Sequence, residues 1–360
     1  MNETSSLSPS HDAAPSDLQA ARPLAERLRA GALLPWHKPL MEQLQTTWAQ
    51  GRLPHALLLH GTEGLGKRAL AIWLARALLC DTKRRTLAPC EHCGSCQLTR
   101  AGSHPDLLIV EPEEDKQQIS VDQVREACAA LTMTSYRGGY KVAIVDPAHQ
   151  MTAAAANSLL KTLEEPSANT LLILLSARPG ALLATIRSRC SKLGLRPPSF
   201  AAAAAWLKQE QAAEVDPRLV EFSGGAPLKA LGYADGSFDE LNRQMQASWS
   251  DLLTDQAHVM DVAKFWADDL LPERLRWLDV TLCSLARGAV TGSAELVTFP
   301  ARPVPLPKTS VALNISAVYA LVDRIRELKA QLTRTALQRE LALEVLLLQC
   351  LRTLRPSASG

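Results

Sequence analysis

Four short, continuous apolar runs mark the first half of the chain: Ala56–His60, Asp106–Glu111, Lys141–Asp146 and Thr170–Ser176. A continuous apolar run such as Ala56–His60 fits a strand buried on both faces of a parallel sheet, and Lys141–Asp146 reads as another buried strand. Segments of helical spacing separate them. Leu40, Leu44 and Trp48 share one helical face, and Gly51 ends that helix. Lys67–Leu79 follows the first run, while Ser120 is placed to cap a helix with Val121, Val124, Cys128 and Leu131 on its apolar face. Thr152 opens another that runs through Leu163 until Pro166 stops it. After one more helix, Ser191–Leu195 supplies a last short strand, and Pro197-Pro198 closes the segment. Strand–helix alternation of this kind predicts an α/β fold, a parallel sheet covered by helices on both faces.

The pattern then changes. Phe200–Ala213 is alanine-rich and helical, and Ser223-Gly224-Gly225-Ala226-Pro227 breaks to a further helix, so a small helical bundle is expected to about Gly236. From Phe238 the chain reads as long helices, with Leu321, Ile325, Leu328 and Leu332, then Leu341, Val345 and Leu348, at helical spacing around the proline-rich stretch Phe299–Pro307. Residues 1–20 hold too few large apolar groups to offset the entropy of ordering, and read as a disordered tail. The divisions expected are 1–20, 21–196, 197–237 and 238–355.

The first apolar run stops at a glycine-rich turn. Gly61, Gly64, Gly66 and Lys67 match the first seven positions of G-x-x-x-x-G-K-[ST], in which backbone N–H groups close on phosphate oxygens and the lysine reaches the outer phosphates. At the eighth, Arg68 replaces the hydroxyl that would hold Mg²⁺, and a guanidinium is a donor-only cation that cannot ligate a metal. The third run ends at Asp146, where an open α/β sheet places its chemistry. Pro147 follows in the place of a water-orienting glutamate. Losing both parts predicts a phosphate loop without hydrolysis and leaves ATP binding open.

Composition narrows the class. A formal net charge of +2 argues neither for a surface that coats nucleic acid nor for an acidic one, so any DNA contact must be local; no apolar run is long enough for a membrane, and the first thirty residues fit neither a signal nor a transit peptide. A cytoplasmic, reducing setting is expected, in which clustered cysteines read as metal ligands before disulfides. Cys90-x₂-Cys93-x₂-Cys96 with Cys80 offers four soft ligands for tetrahedral Zn²⁺, a closed and therefore structural site, against the alternatives of loose thiols or a redox pair. His92 is the surplus ligand, expected to face solvent. Cys128, Cys190, Cys283 and Cys350 are isolated and read as small buried side chains. Lys141 and His149 read as solvated neighbours of the third strand. Arg189, at a helix end, reads either as a surface cation in an ion pair or as a residue acting on a neighbouring subunit.

Several long stretches in order, Arg52-Leu-Pro-His-Ala-Leu-Leu-Leu-His-Gly61, the Cys80/Cys90/Cys93/Cys96 set, Ala155-Ala-Asn-Ser-Leu-Leu-Lys-Thr-Leu-Glu-Glu-Pro166 and Ile186-Arg-Ser-Arg-Cys190, together resemble the delta-prime family of bacterial DNA polymerase III clamp-loader subunits. The likeness is strongest over about residues 34–196. It implies an AAA+ RecA-like domain with a zinc module at 80–96, a small helical lid and a C-terminal helical collar. It further implies assembly with tau/gamma ATPase subunits and a delta subunit, loading a sliding clamp onto primed DNA with no membrane involved. Ser188-Arg189-Cys190 matches the family's Ser-Arg-Cys motif, so the resemblance makes Arg189 an arginine finger for the adjoining subunit's ATP. The related ATPase subunits resemble a complete loop followed by Asp-Glu, whereas this chain has Lys67-Arg68 and Asp146-Pro147. Their lid arginine has no counterpart in Gly224-Gly225-Ala226-Pro227, and Lys229 is a compact substitute two residues on. The expectation is a non-hydrolysing stator. The alternatives are an ATP-hydrolysing tau/gamma-like motor, and a zinc-dependent nucleic-acid module using Lys83, Arg84 and Arg85.

Overall fold

The computed structural model describes residues 23–82, 86–211, 216–291, 314–332 and 338–354. The polar tail 1–20, the basic triplet Lys83, Arg84 and Arg85, and the stretch Phe299–Pro307 lie outside the described residues. The chain divides into two compact units, 1–197 and 198–360.

In the first unit the apolar runs become a five-stranded parallel sheet: β1 (Ala56–His60), β2 (Leu107–Val110), β3 (Lys141–Val145), β4 (Thr170–Ser176) and β5 (Ser191–Gly194), in the order β2-β3-β4-β1-β5. β1 lies between β4 and β5, with Leu58 opposite Leu174 on one side and Lys192 on the other. Helix α1 (Leu24–Arg29), a 3₁₀ turn at Pro35–His37 and α2 (Lys38–Ala49) precede β1. α3 (Lys67–Leu79) leaves the phosphate loop, and α4 (Gly94–Arg100) follows the cysteine-rich loop. α5 (Val121–Thr132), α6 (Ala153–Glu164) and α7 (Ala184–Arg189) complete the set.

The caps form where the sequence places them. Ser120 and Gln123 make a reciprocal capping box, and Thr152 accepts from the Ala155 N–H. Because strand side chains alternate, each face of the sheet has its own core. Ala56, Leu58, Ala143, Val145, Leu172 and Leu174 share one cluster with Val124, Leu131, Leu159, Leu163 and Ile186 of the covering helices. The alternate positions, Leu57, Leu59, Ile144, Ile173 and Leu175, are as fully buried, and α3 packs on β1, β3 and β4 with Leu70, Ala71 and Leu74 buried.

Lys141 corrects the expectation of a solvated side chain. It is buried, and its Nζ donates to the Ala130 carbonyl at 2.5 Å. That carbonyl lies in the last turn of α5 and also accepts from the Met133 N–H at 3.3 Å, so Lys141 brings a cation to the negative end of the helix. His149 is half-buried against Ser176, whose Oγ lies 3.2 Å from its Nδ1.

The second unit is helical: α8 (Phe200–Gln211), α9 (Pro217–Phe222), α10 (Pro227–Leu231), α11 (Ser237–Leu253), α12 (Val259–Trp266), α13 (Leu271–Thr291), α14 (Ile315–Leu332) and α15 (Arg339–Leu354). Lys229 sits in α10. Trp249 and Trp266 stack at 6.2 Å, and the Trp277 indole donates to Asn242 Oδ1 at 2.8 Å, so the aromatic core is also hydrogen-bonded. Cys190 and Cys350 are buried as expected, whereas Cys128 and Cys283 are half-buried. Burial pushes the Cys350 thiol up to about 12. Among the described residues no helix is long and apolar enough to cross a membrane.

Candidate functional site

The glycine turn at the end of β1 has the backbone of a phosphate loop. Gly61 has φ +151°, and a Cβ there would lie 2.4 Å from the Leu195 carbonyl oxygen, so a side chain would force the sheet edge apart. Gly66, the left-handed N-cap of α3, has φ +77° and backs onto Leu34 and His37, while Gly64 has φ +83°. The back of the loop is braced by residues that sequence reasoning missed. The Trp36 indole and the His37 Nε2 both lie 2.9 Å from the Leu65 carbonyl. Since His37 Nδ1 accepts from the Leu34 N–H, Nε2 carries the proton and donates. Burial holds His37 below the ordinary histidine range, consistent with that neutral form.

The chain's own cations fill the front of the loop. Lys67 Nζ donates to the Gly61 and Thr62 carbonyls, each at 2.9 Å. Arg68 Nη1 pairs with Glu111 Oε2 at 2.5 Å and reaches Asp146 Oδ2 at 3.5 Å. Burial opposes the charge on Arg68, but the hydrogen bond and charge of Glu111, with Asp146 behind it, raise its pKa. Burial pushes Asp146 up against the pull of Arg68 and Lys67, and pushes Lys67 down against Asp146 and Glu63. The acidic ends of β2 and β3 thus face a guanidinium where a nucleotide site would need a divalent metal and a hydroxyl ligand. Glu111 has no sequence signal beyond its position after an apolar run.

The four cysteines come together. Cys80 caps α3, Cys93 caps α4, and the sulfurs of Cys80, Cys90, Cys93 and Cys96 all lie within 4.8 Å of one another. The Cys80–Cys93 and Cys90–Cys96 separations are 3.8 and 3.9 Å. A tetrahedral ion with sulfurs at about 2.3 Å requires sulfur–sulfur edges of about 3.8 Å, so the donor set fits a four-thiolate metal. Backbone N–H groups of Cys90, Cys93 and Cys96 point at the sulfurs of Cys80, Cys90 and Cys93 at 3.3–3.4 Å, an arrangement that favours thiolates. Burial raises Cys93 and Cys96; Cys90, against its own burial, is drawn down to about 5 by Thr82 and by the N–H groups of His92 and Cys93. His92 is exposed and stands outside the ligand set.

Two polar networks, neither legible from spacing, tie this loop to the domain. Arg76, buried in α3, pairs with Glu91 at 2.5 Å and donates to the Ala30 carbonyl, and Arg100 pairs with the same Glu91 oxygen at 2.6 Å. On the other side, Asp81 accepts from the Ser95 hydroxyl at 2.6 Å and from Arg137 at 3.0 Å. His104 lies 3.1 Å from Ser95 Oγ. Because the Asp106 N–H donates to His104 Nδ1, Nε2 is the protonated nitrogen and donates to Ser95. Ser95 thus accepts from His104 and donates to Asp81, which Arg137 also holds, so the chain of bonds ties the loop to the domain.

Arg189 ends α7 at the surface, 36% exposed, with Nη2 2.7 Å from Glu164 Oε1 and Nη1 donating to the Thr185 carbonyl at 3.1 Å. Cys190 beside it is buried in the core cluster. The structure thus groups Gly61, Gly64, Gly66 and Lys67 in one loop and the four cysteines in another, and places Arg189 at the end of α7.

A family model described as DNA polymerase III, delta subunit, matches residues 36–199. The chain is 35% identical to the DNA polymerase III subunit delta' of Pseudomonas aeruginosa over 321 residues, which spans 88% of this chain and 97% of that one. It is 34% identical to the Escherichia coli subunit delta' over 334 residues, 89% and 96% of the two chains. The Escherichia coli subunit tau matches more locally, at 34% over 146 residues, 41% of this chain and 22% of that protein. Identity at this level across nearly the whole of two delta-prime subunits is decisive: the chain belongs to the DNA polymerase III delta-prime subunit family.

Proposed function

We propose that this chain is a non-hydrolysing AAA+ subunit of a clamp-loader ring in the bacterial cytoplasm. In this reading it acts as a stator, supplying Arg189 to a neighbouring tau/gamma ATPase while the ring, with its delta subunit, loads a sliding clamp onto primed DNA. The observation that supports this best is the occupation of the phosphate loop by Lys67 and Arg68. Nucleotide would have to pull Lys67 off two carbonyls, giving up charge-assisted bonds worth roughly 1.5–3 kcal/mol each. It would also bring Mg²⁺ to carboxylates already paired with a guanidinium. Pro147 leaves no carboxylate to orient water.

The isolated chain is therefore expected to hydrolyse no ATP above background. Arg68→Thr alone should not restore turnover, because the water-orienting group stays absent. Magnesium-dependent hydrolysis that disappears in Lys67→Ala would overturn the stator reading in favour of a tau/gamma-like motor.

In the same reading, residues 21–196 form the AAA+ domain, 197–237 the lid and 238–355 the collar, and Cys80, Cys90, Cys93 and Cys96 hold a structural Zn²⁺. The collar assignment draws on α15. Leu343, Leu346, Leu347, Cys350 and Leu354 are buried, while Leu341, Val345 and Leu348, at helical spacing on another face, are 55%, 41% and 44% exposed. An apolar stripe left to water on a helix already packed by its other side suits contact with sibling subunits. Glutamate at all three positions in the full chain is expected to abolish co-elution with the other subunits while leaving the circular dichroism and melting of the isolated chain nearly unchanged. Normal assembly of that variant would remove α15 from the collar contacts.

A further inference from the structure

Three of the sequence stretches singled out above meet at one end of α6. His55, from the stretch that leads into β1, lies with Nε2 3.1 Å from the Leu163 carbonyl, so it donates to an acceptor in the last turn of α6. The next residue, Glu164, ends that helix before Pro166, and its carboxylate meets Arg189 of α7 at 2.7 Å. Leu159 and Leu163 of α6 and Ile186 of α7 share the core beneath the pair, so both backbones are fixed.

A carboxylate in the last turn of a helix is misplaced by the helix's own electrostatics, because it faces the negative end of the dipole, at about 0.3–1 kcal/mol. Glu164 and Glu165 stand together there. A local rule broken in this way points to a function at the site. We infer that Glu164 is the positioning residue for Arg189, holding its guanidinium in one orientation at the surface. This inference rests on the reading of Arg189 as the residue offered to a neighbouring ATP.

An unanchored arginine gives up about 2 kcal/mol of rotamer freedom when it is ordered. Glu164 and the Thr185 carbonyl impose that order before the neighbour arrives, each taking one N–H from a different terminal nitrogen. Five donors less two leaves three for phosphate oxygens. The Glu164 contact is not a lock. An exposed pair contributes at most about 1 kcal/mol, little against a phosphoryl group gathering charge in a water-poor interface.

The test uses full-length chains in complete rings in which only the adjoining ATPase site is competent, with hydrolysis followed in a single turnover. Glu164→Ala is expected to slow that step on the order of 5-fold, the most that an exposed pair can contribute to ordering the guanidinium, with ring assembly and nucleotide affinity at the site unchanged. Glu164→Gln, which keeps an acceptor oxygen at the same reach, should recover most of the rate. Added to Arg189→Ala, Glu164→Ala should cost nothing more, because the two residues act as one unit. Wild-type rates in Glu164→Ala alongside a defective Arg189→Ala would overturn the positioning role and leave the arginine's role standing. A loss from Glu164→Ala that persists without Arg189 would overturn it equally. A neutral Arg189→Ala would instead remove the trans-acting reading, and this inference with it.

Discussion

Arg189→Ala in an assembled ring is expected to slow single-turnover ATP hydrolysis at the adjoining site by about 10³-fold, the lower end of the range for an arginine supplied in trans. The lower end is appropriate because in a P-loop ATPase site the loop lysine and Mg²⁺ also neutralise the phosphates, so the substitution removes one cation among several. Folding should be untouched. Arg189 is exposed, its pair with Glu164 contributes at most about 1 kcal/mol, and the core below depends on Ile186 and Cys190. Arg189→Lys should recover little, since an ammonium cannot make the planar two-pronged contact of a guanidinium. With every other site in the ring intact, the total loss will be smaller, so the measurement needs rings with one competent site. Cys190→Ala should leave the rate near wild type, because that thiol only packs. Unchanged hydrolysis in Arg189→Ala would mean that the arginine does no more than pair with Glu164, and the stator reading would then rest on assembly alone.

The parts of this fold that were legible in the sequence are those whose cause is local. The boundaries of β1 and β4 fall where the apolar runs begin and end, because a strand covered on both faces has no polar positions to blur them. Ser120 and Thr152 cap helices because a hydroxyl there meets N–H groups only a turn ahead. The cysteine cluster was legible because a tetrahedral ion needs closely spaced ligands on short turns.

What could not be read was set by contacts between distant residues. Arg68 and Glu111 are 43 positions apart, and neither sits in a pattern that announces the other. His37 acquires its role only because Leu65 arrives beside it in space. Lys141 was misread for a physical reason: a lysine opening an apolar run looks solvated, yet its long alkyl stem can lie in the core while its head caps a helix. Glu164 was visible as a residue of its motif, but its partner lies in the next helix, and no spacing rule connects the two.

Metal removal is expected to have the largest effect on stability. Purified under reducing conditions, the chain should carry one zinc on Cys80, Cys90, Cys93 and Cys96, and the fully buried Cys96 makes Cys96→Ser the sharpest disruption. Structural zinc binds with roughly 10–16 kcal/mol in small metal-dependent domains, several times what a loop of this size obtains from its few buried apolar side chains. The loss should nevertheless stay local. Leu87, Cys90 and Cys96 are buried in the module, whereas the sheet draws on Leu58, Ile144, Ile173 and their neighbours, which do not touch the ion's ligands in sequence. Strong chelation, or Cys96→Ser, should therefore expose the segment between α3 and β2 to rapid proteolysis while the strands keep their hydrogen-exchange protection. The networks around the cluster grade the outcome. Glu91→Ala, which leaves the buried guanidinium of Arg76 without its carboxylate, should loosen the module with zinc still bound, because an uncompensated buried charge costs about 3–5 kcal/mol and the four sulfurs are unchanged. Metal analysis well below one zinc per chain, with the four thiols reacting as fast as exposed cysteines, would return the cluster to loose thiols and leave the Arg76–Glu91 and Asp81–Ser95–His104 bonds to hold the loop unaided.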